Sequence, residues 1–308
     1  MKTVFITGGT GFLGYNVILA LLQEGYEVYA LVRNVNNKLC GKLHDNLHVI
    51  EGNLEHIKNV NTPNFDFCLN FAWSGVNRND ISSIDIQKRN IQNEIDLWNF
   101  SEKHGCNVYI DAGSRQEYSF SESALTEDSA CNPISEYGKG KLAAFQLLSE
   151  YSTTNHMKYI HPRIFSIYGY GDHPWSLINS SIEKMQRDED VELGDCLQYW
   201  SFLHVSDLAN AFVAIIQCHE KIKNNEVLNI GSENNQPLRC FVEKIKNVCS
   251  SNSNLKYGAF KQNPESIKSI ICNSNKLKVL TGWSEQISFE EGIKDIIKKK
   301  QIYYDKSK

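Results

Sequence analysis

The sequence predicts an α/β protein built on a doubly wound parallel sheet, followed by a smaller C-terminal α/β unit. Three observations lead there. Apolar stretches of strand length recur at 4–6, 27–32, 46–51, 65–71, 107–112 and 158–164, with polar or helical stretches between them; a parallel sheet covered on both faces produces this alternation. Helical spacing fills the gaps: Ile84, Ile91, Ile95 and Trp98 mark a helix over 81–104 that Gly105 ends, and a second helix runs over 136–153. Finally, a glycine-rich turn joins the first strand to the first helix.

That turn is Thr7-Gly8-Gly9-Thr10-Gly11-Phe12-Leu13-Gly14, directly after Val4, Phe5 and Ile6. A pyrophosphate at a helix N-terminus needs free backbone N–H groups aimed at it and no side chain in the way. Gly8 is expected to make the tight turn out of the strand, Gly11 to let the backbone approach the phosphates, and Gly14 to let the helix pack closely on the sheet. Val17, Leu19, Ala20, Leu21 and Leu22 then form an apolar helical face, with Gly25 as C-cap before the strand at 27–32. The whole is a βαβ unit of about thirty residues, the Rossmann-type signature of dinucleotide binding.

Composition excludes several classes. With 308 residues, 32 basic and 36 acidic, the chain has no charge excess that would point to nucleic acid or an anionic membrane surface. The Lys-rich stretch 294–308 reads as a solvated helix end. The first strand begins almost at Met1 and no apolar run approaches membrane-spanning length, so a soluble cytoplasmic protein without a signal peptide is expected. Nine cysteines, at 40, 68, 106, 131, 196, 218, 240, 249 and 272, are scattered singly with no zinc spacing; they read as reduced thiols, and neither a disulfide framework nor a metal site is expected.

Beyond Gly169 the alternation loosens into a loop at 169–174, a helix near 176–187, apolar pieces at 201–205 and 226–230 flanking a helix over 206–219, and then short helices with little strand signal. We expect a dinucleotide-binding domain over 1–165, to which a segment near 201–230 returns, and a mainly substrate-binding domain over 166–308. With only six prolines and no low-complexity run, no disordered linker is expected between them.

Tyr137 and Lys141 stand at i and i+4, on one face of a helix. A phenol with pKa near 10 exchanges protons poorly at neutral pH, but a cation about 5 Å away at an effective dielectric of about 20 favours the phenolate by roughly 3 kcal/mol. Tyr137 is then a candidate acid or base at a carbonyl oxygen, and Ser114, just past the strand at 107–112, a second hydroxyl for that oxygen.

Read together, these motifs resemble the extended short-chain dehydrogenases/reductases, and among them the enzymes that modify nucleotide-activated sugars. The matching stretches are the glycine turn at 7–14, Gly52-Asn53-Leu54, Ala112-Gly-Ser-Arg-Gln-Glu-Tyr118, Tyr137-x-x-x-Lys141, Pro162-Arg-Ile-Phe-Ser-Ile-Tyr-Gly169, Phe202-Leu-His-Val-Ser-Asp207 and Asn229-Ile-Gly231. The resemblance implies a catalytic set of Ser114, Tyr137 and Lys141. It implies a nicotinamide cofactor held by Gly8, Thr10, Gly11, Phe12, Leu13, Gly14, Arg33, Asn53, Leu54, Phe71, Ala72, Asn90, Tyr137 and Lys141. It further implies a nucleotide diphosphate sugar as substrate, and relatives of this kind often dimerise through a four-helix contact made by helices such as 81–104 and 136–153.

Individual residues narrow the reaction. Arg33 lies nineteen residues after Gly14, where an acidic residue would bond the ribose hydroxyls of NAD; its guanidinium suits a 2′-phosphate, so NADP(H) is favoured and NAD(H) stays open. Similar 4,6-dehydratases carry an Asp-Glu pair after the hydroxyl residue, and Arg115 and Gln116 cannot do that acid–base work. The stretches at 114–118 and 198–203 look most like 4-ketoreductases making deoxyhexoses, of the CDP-abequose or dTDP-fucose kind. By the same resemblance Trp73, Ser74, Arg115, Ser166 and Trp200 would face the substrate, Trp200 either stacking on a base or ribose or serving as a core residue. The rival readings are an epimerase with permanently held NAD and a non-catalytic dinucleotide-binding sensor.

Overall fold

A computed structural model describes residues 2–35, 37, 39, 44–77, 80–121, 123–259 and 268–306, the last four of these by their backbone alone. All six expected strands form: Thr3–Thr7 (β1), Glu27–Val32 (β2), Leu47–Glu51 (β3), Phe67–Asn70 (β4), Val108–Asp111 (β5) and Lys158–Ile164, which is β7 because the two-residue strand Gly113–Ser114 (β6) precedes it. With Glu226–Ile230 (β8) they make one parallel sheet in the order β3-β2-β1-β4-β5-β7-β8, and β6 continues alongside β7. The order reverses between β1 and β4. At such a switch point crossovers leave to opposite faces, which opens a crevice at the C-terminal strand ends.

Helices cover both faces. On one, Phe12–Gln23 (α1) and Val205–Gln217 (α5) bury Val17, Ile18, Leu21, Leu208, Phe212 and Ile216 against Val4, Ile6 and Val28. On the other, Ile84–Lys103 (α2) and Glu136–Thr154 (α3) bury Leu97, Trp98 and Leu148 against Phe5, Tyr109 and Tyr159. Each fully buried aliphatic side chain contributes about 1.5–3 kcal/mol, so these two layers hold the sheet in place. A separate cluster joins Leu177–Met185 (α4), Leu238–Cys249 (α6) and Phe289–Lys306 (α8) through Ile178, Ile182, Phe241, Ile245, Phe289 and Ile293. Between α6 and α8 lies the short helix Asn275–Thr281 (α7).

The structure departs from expectation in three places. Helix α2 starts at Ile84 rather than 81, because Ser83 is its N-cap. The apolar piece at 201–205 contributes only the strand Leu203–His204, paired with Ile167–Tyr168, before α5 begins. The end of the chain is not merely short helices: α8 runs for 18 residues, its lysines masking an apolar stripe of Phe289, Ile293 and Ile296. Eight cysteines are free thiols, while Cys40 lies outside the described residues. Among the described residues no helix is long and apolar enough to cross a membrane, and no group of three or more His, Cys, Asp or Glu could hold a metal ion.

Candidate active site

The glycine turn forms a cradle at the switch point. Gly8 has φ +69°, and a Cβ there would stand 2.5 Å from the Phe71 carbonyl carbon and 2.7 Å from the Ala72 nitrogen. Only glycine satisfies both the left-handed conformation and the contact. A Cβ on Gly14 would meet the Gly8 carbonyl oxygen at 2.5 Å, so the predicted close packing of α1 on the strand end is present. Over this turn opens a cavity of about 430 Å³, lined by Gly8, Thr10, Gly11, Arg33, Asn53, Leu54, Phe71, Ala72, Trp73, Ser74 and Asn90 among others. Phe12 and Leu13 pack instead on the α1–α5 side of the sheet.

Some of these side chains are already engaged. Asn90 donates to the Ser74 carbonyl at 2.8 Å and accepts from its N–H at 3.0 Å, so its amide shapes the 72–74 loop. Asn53 caps the turn Leu54–Asn59 by accepting from the His56 N–H at 3.0 Å. The cradle, the exposed Arg33 at the end of β2 and the elongated lining fit a dinucleotide: a pyrophosphate at the α1 N-terminus, a nucleoside toward Arg33 and Asn53, and the other end toward Trp73.

At the far end stand the three predicted chemical residues. Ser114 closes β6 and caps the single turn Arg115–Glu117. Tyr137 lies in the first turn of α3, whose N-cap Ser135 accepts from the Gly138 N–H at 3.0 Å and donates to the Gln116 side chain at 2.7 Å. That bond and the lack of a side chain at Gly138, where a Cβ would lie 2.3 Å from the Gln116 carbonyl oxygen, press α3 against the turn. The Ser114 hydroxyl is thereby brought near the Tyr137 phenol, whose ionised form it favours.

The expected depression of Tyr137 by Lys141 is not found. Burial pushes the phenol up to about 12; the Ser114 hydroxyl and Arg115 pull it down, and the Glu117 charge raises it further. The Lys141 ammonium is engaged elsewhere: it donates to the Ala112 carbonyl at 2.7 Å and lies 3.7 Å from the Trp73 ring centroid. Spacing i, i+4 fixes the helix face but not where a flexible side chain ends. Burial lowers the Lys141 pKa, opposed by Asp111, Glu94 and Glu117.

Sequence reasoning missed a buried ionic network under these residues. Glu117 is wholly buried; its carboxylate accepts from the Ser114 N–H at 2.7 Å, His161 Nε2 at 2.9 Å and Arg163 Nε at 2.8 Å. His161 Nδ1 reaches Asp111 at 2.6 Å, and Asp111 also accepts from the Tyr159 hydroxyl at 2.9 Å. Burial opposes charge on Glu117, yet His161, Arg163 and the Ser114 N–H hold it at about 2. Burial likewise opposes the imidazolium, and Asp111 and Glu117 still raise His161 to about 9. Glu94 on α2, bonded by Asn70 and by the Tyr109 hydroxyl, is raised to about 8 by burial and by Asp111. The signal was present in β7, where His161 and Arg163 interrupt the apolar run that follows Lys158.

Of the residues expected to face substrate, Trp73 and Ser74 line the cavity. The Arg115 guanidinium lies 5.3 Å from the Trp200 ring centroid, and Trp200 also packs against both Phe165 and Phe202 neighbourhoods, so it is at once a core residue and the floor under Arg115. Ser166 is partly exposed, and its carbonyl accepts from the Leu203 N–H at 3.0 Å.

Comparison with known proteins places the chain in a family and agrees with the fold. Residues 4–231 match the model of the NAD dependent epimerase/dehydratase family. The CDP-abequose synthase of Salmonella muenchen is 24% identical over 313 residues, covering 97% of this chain and 98% of that protein. Among solved structures, the dTDP-glucose 4,6-dehydratase of Bacillus anthracis in complex with NAD superposes with a TM-score of 0.81 at 22% identity, covering 99% of this chain and 97% of that one. The UDP-N-acetylglucosamine 4-epimerase of Methanobrevibacter ruminantium M1 does so with a TM-score of 0.84 at 20% identity, covering 97% and 99%.

Proposed function

Since the chain belongs to the NAD dependent epimerase/dehydratase family, we propose that it is an NADPH-dependent reductase of a nucleotide-linked 4-keto-6-deoxy sugar. The observation that carries this reading is the turn Arg115–Glu117. Eliminating water requires an acid and a base besides the tyrosine. The one carboxylate in the turn, Glu117, is buried and held by three donors; Gln116 does not ionise, and Arg115, though burial lowers it to about 10, stays a cation at neutral pH and cannot serve as the base. What remains at the site is the Ser114–Tyr137 hydroxyl pair, sufficient for protonating an oxygen during carbonyl reduction.

A bound nicotinamide dinucleotide would supply hydride. Gly8, Thr10, Gly11 and the α1 N-terminus would hold its pyrophosphate, Arg33 a 2′-phosphate, and Lys141 the nicotinamide ribose. Tyr137 donates its proton to the carbonyl oxygen, and Ser114 orients that oxygen by a hydrogen bond. A phenol raised to about 12 stays protonated at neutral pH, the form a proton donor requires. Arg115 over Trp200 offers a cationic, aromatic surface for the nucleotide sugar, held mainly by the segment from 166 onward.

The test is a panel of CDP-, dTDP-, GDP- and UDP-linked 4-keto-6-deoxy sugars with NADPH and NADH, followed by loss of reduced-nicotinamide absorbance. Turnover with NADPH supports the reading. A purified protein that retains non-exchangeable NAD and interconverts epimers without net oxidation overturns it in favour of an epimerase.

A further inference from the structure

We propose that Glu117 is a positioning residue for the Ser114–Tyr137 pair: clamped by His161 and Arg163, its carboxylate holds the main chain at Ser114 and so sets where the serine hydroxyl meets the phenol. The inference rests on the reading of those two hydroxyls as the reacting pair. Its basis is geometric. Glu117 Oε1 accepts the Ser114 N–H at 2.7 Å, and Oε2 accepts His161 Nε2 at 2.9 Å and Arg163 Nε at 2.8 Å. Both cations come from β7, and Gly113 and Ser114 are in register with Arg163 and Ile164 of that strand. The Ser114 hydroxyl in turn accepts from the Gln116 N–H at 3.2 Å, which completes a capping box around the turn. Hydrogen bonds of this kind from a strand lock the turn that carries the hydroxyl.

The charge of Glu117 acts as well. Facing it are His161 and Arg163 from β7, Lys141 and Tyr137 from α3, and Cys131 from the loop before α3, while Asp111 of β5 stands behind His161. Arg115, on the same turn, pulls Tyr137 the other way. Removing the carboxylate charge therefore eases ionisation of Tyr137. Asp at this position would keep the charge and shorten the reach to Ser114.

Two variants separate these effects in the full-length protein. The Tyr137 ring-carbon resonance of tyrosine labelled with carbon-13 at Cζ, assigned by its loss in Tyr137→Phe, is followed from pH 8 to 11 without substrate. In Glu117→Gln ionisation begins at lower pH than in wild type; in Glu117→Asp the onset stays put. With NADPH and dTDP-4-keto-6-deoxyglucose or its CDP counterpart, whichever wild type reduces, both variants lower kcat by about a hundredfold while KM for NADPH moves less than about threefold. An unshifted onset in Glu117→Gln together with wild-type kcat in both variants overturns the proposal, and if Glu117→Gln does not fold, unchanged kcat in Glu117→Asp does so alone. If wild type reduces no keto sugar, the reductase reading fails, and the onset in Glu117→Gln still decides, an unshifted onset overturning the proposal; where that variant does not fold, the neutral-phenol Cζ shift at pH 8 in Glu117→Asp decides, moving if the shortened reach displaces the Ser114 hydroxyl and overturning the proposal if it equals wild type.

Discussion

The ammonium of Lys141 rests 3.7 Å from the ring centroid of Trp73, held there by its bond to the Ala112 carbonyl. Trp73 is itself fixed, its indole N–H donating to Gln87 at 2.9 Å and its ring set edge-on to Tyr137 with centroids 6.3 Å apart. The indole thus lines the cavity while touching both Lys141 and Tyr137, and with the Ala112 carbonyl it fixes where the cation lies.

A cation over an aromatic face is worth about 0.5–2 kcal/mol. Replacing Trp73 with Ala releases Lys141 and should weaken NADPH binding by roughly two- to thirtyfold, read as quenching or enhancement of nicotinamide fluorescence. Trp73→Phe keeps an aromatic face and should lose less. Equal affinities in wild type and Trp73→Ala would show that the ring has no part in placing Lys141.

Tyr137→Phe removes the proton donor but leaves the ring in place beside Trp73. Loss of a positioned general acid typically costs a factor of about 10²–10⁴. Single-turnover reduction should slow by that much, with NADPH affinity unchanged within about threefold. A variant that reduces keto sugar at the wild-type rate would sink the assignment.

Arg33 borders the cavity beside Asn53 and Leu54, at the end that the proposed reading gives to the adenosine ribose. A hydrogen bond to a charged group is worth about 1.5–3 kcal/mol, so Arg33→Ala should cut the ratio of NADPH to NADH affinity roughly ten- to a hundredfold. Calorimetric titration of both cofactors measures the ratio directly; a ratio that does not change assigns the 2′-phosphate elsewhere.

The sheet was legible in the sequence because its strands are apolar runs bounded by turns, and because Gly8, Gly11 and Gly14 mark the tight turn from the first strand into the first helix. The hydroxyl pair was legible as well, since Ser114 and Tyr137 each occupy a definite place at a strand end and a helix start. The ionic layer beneath them was not. Glu117 meets His161 and Arg163 across 44 and 46 residues of chain, and in isolation it reads as one more polar residue of a turn. Lys141 was misread for a different reason: periodicity gives the direction of a Cβ, whereas four further rotatable bonds decide between Tyr137 and Ala112. Motifs shared along the chain also proved to be clasps. Asn229 binds Tyr118, Leu125 and Asn273, and Asp207 accepts from the Ile287 N–H.

The same ionic layer makes stability depend on pH in a direction that can be worked out. Burial opposes the His161 cation, but Asp111 and Glu117 raise its pKa from 6.5 to about 9. Its contribution is therefore complete below about pH 6.5 and lost as pH rises through about 9, with a magnitude of roughly 3 kcal/mol. Glu94, raised from 4.5 to about 8 by burial and Asp111, acts in the same sense: the unfolded carboxyl ionises first, so stability declines between those values. Glu117 acts at the other end. Held at about 2 by His161 and Arg163 against the effect of burial, it stabilises above about pH 4.5 and ceases to as pH falls toward 2. The three together place greatest stability near pH 4.5 and predict a urea midpoint that falls steadily from about pH 5 to pH 9. In His161→Gln the fall above about pH 6.5 should become shallower, what remains up to about pH 8 coming from Glu94. A wild-type midpoint that holds level or rises over this range would mean that His161 is neutral in the folded protein, and the clamp on Glu117 would then rest on Arg163 alone.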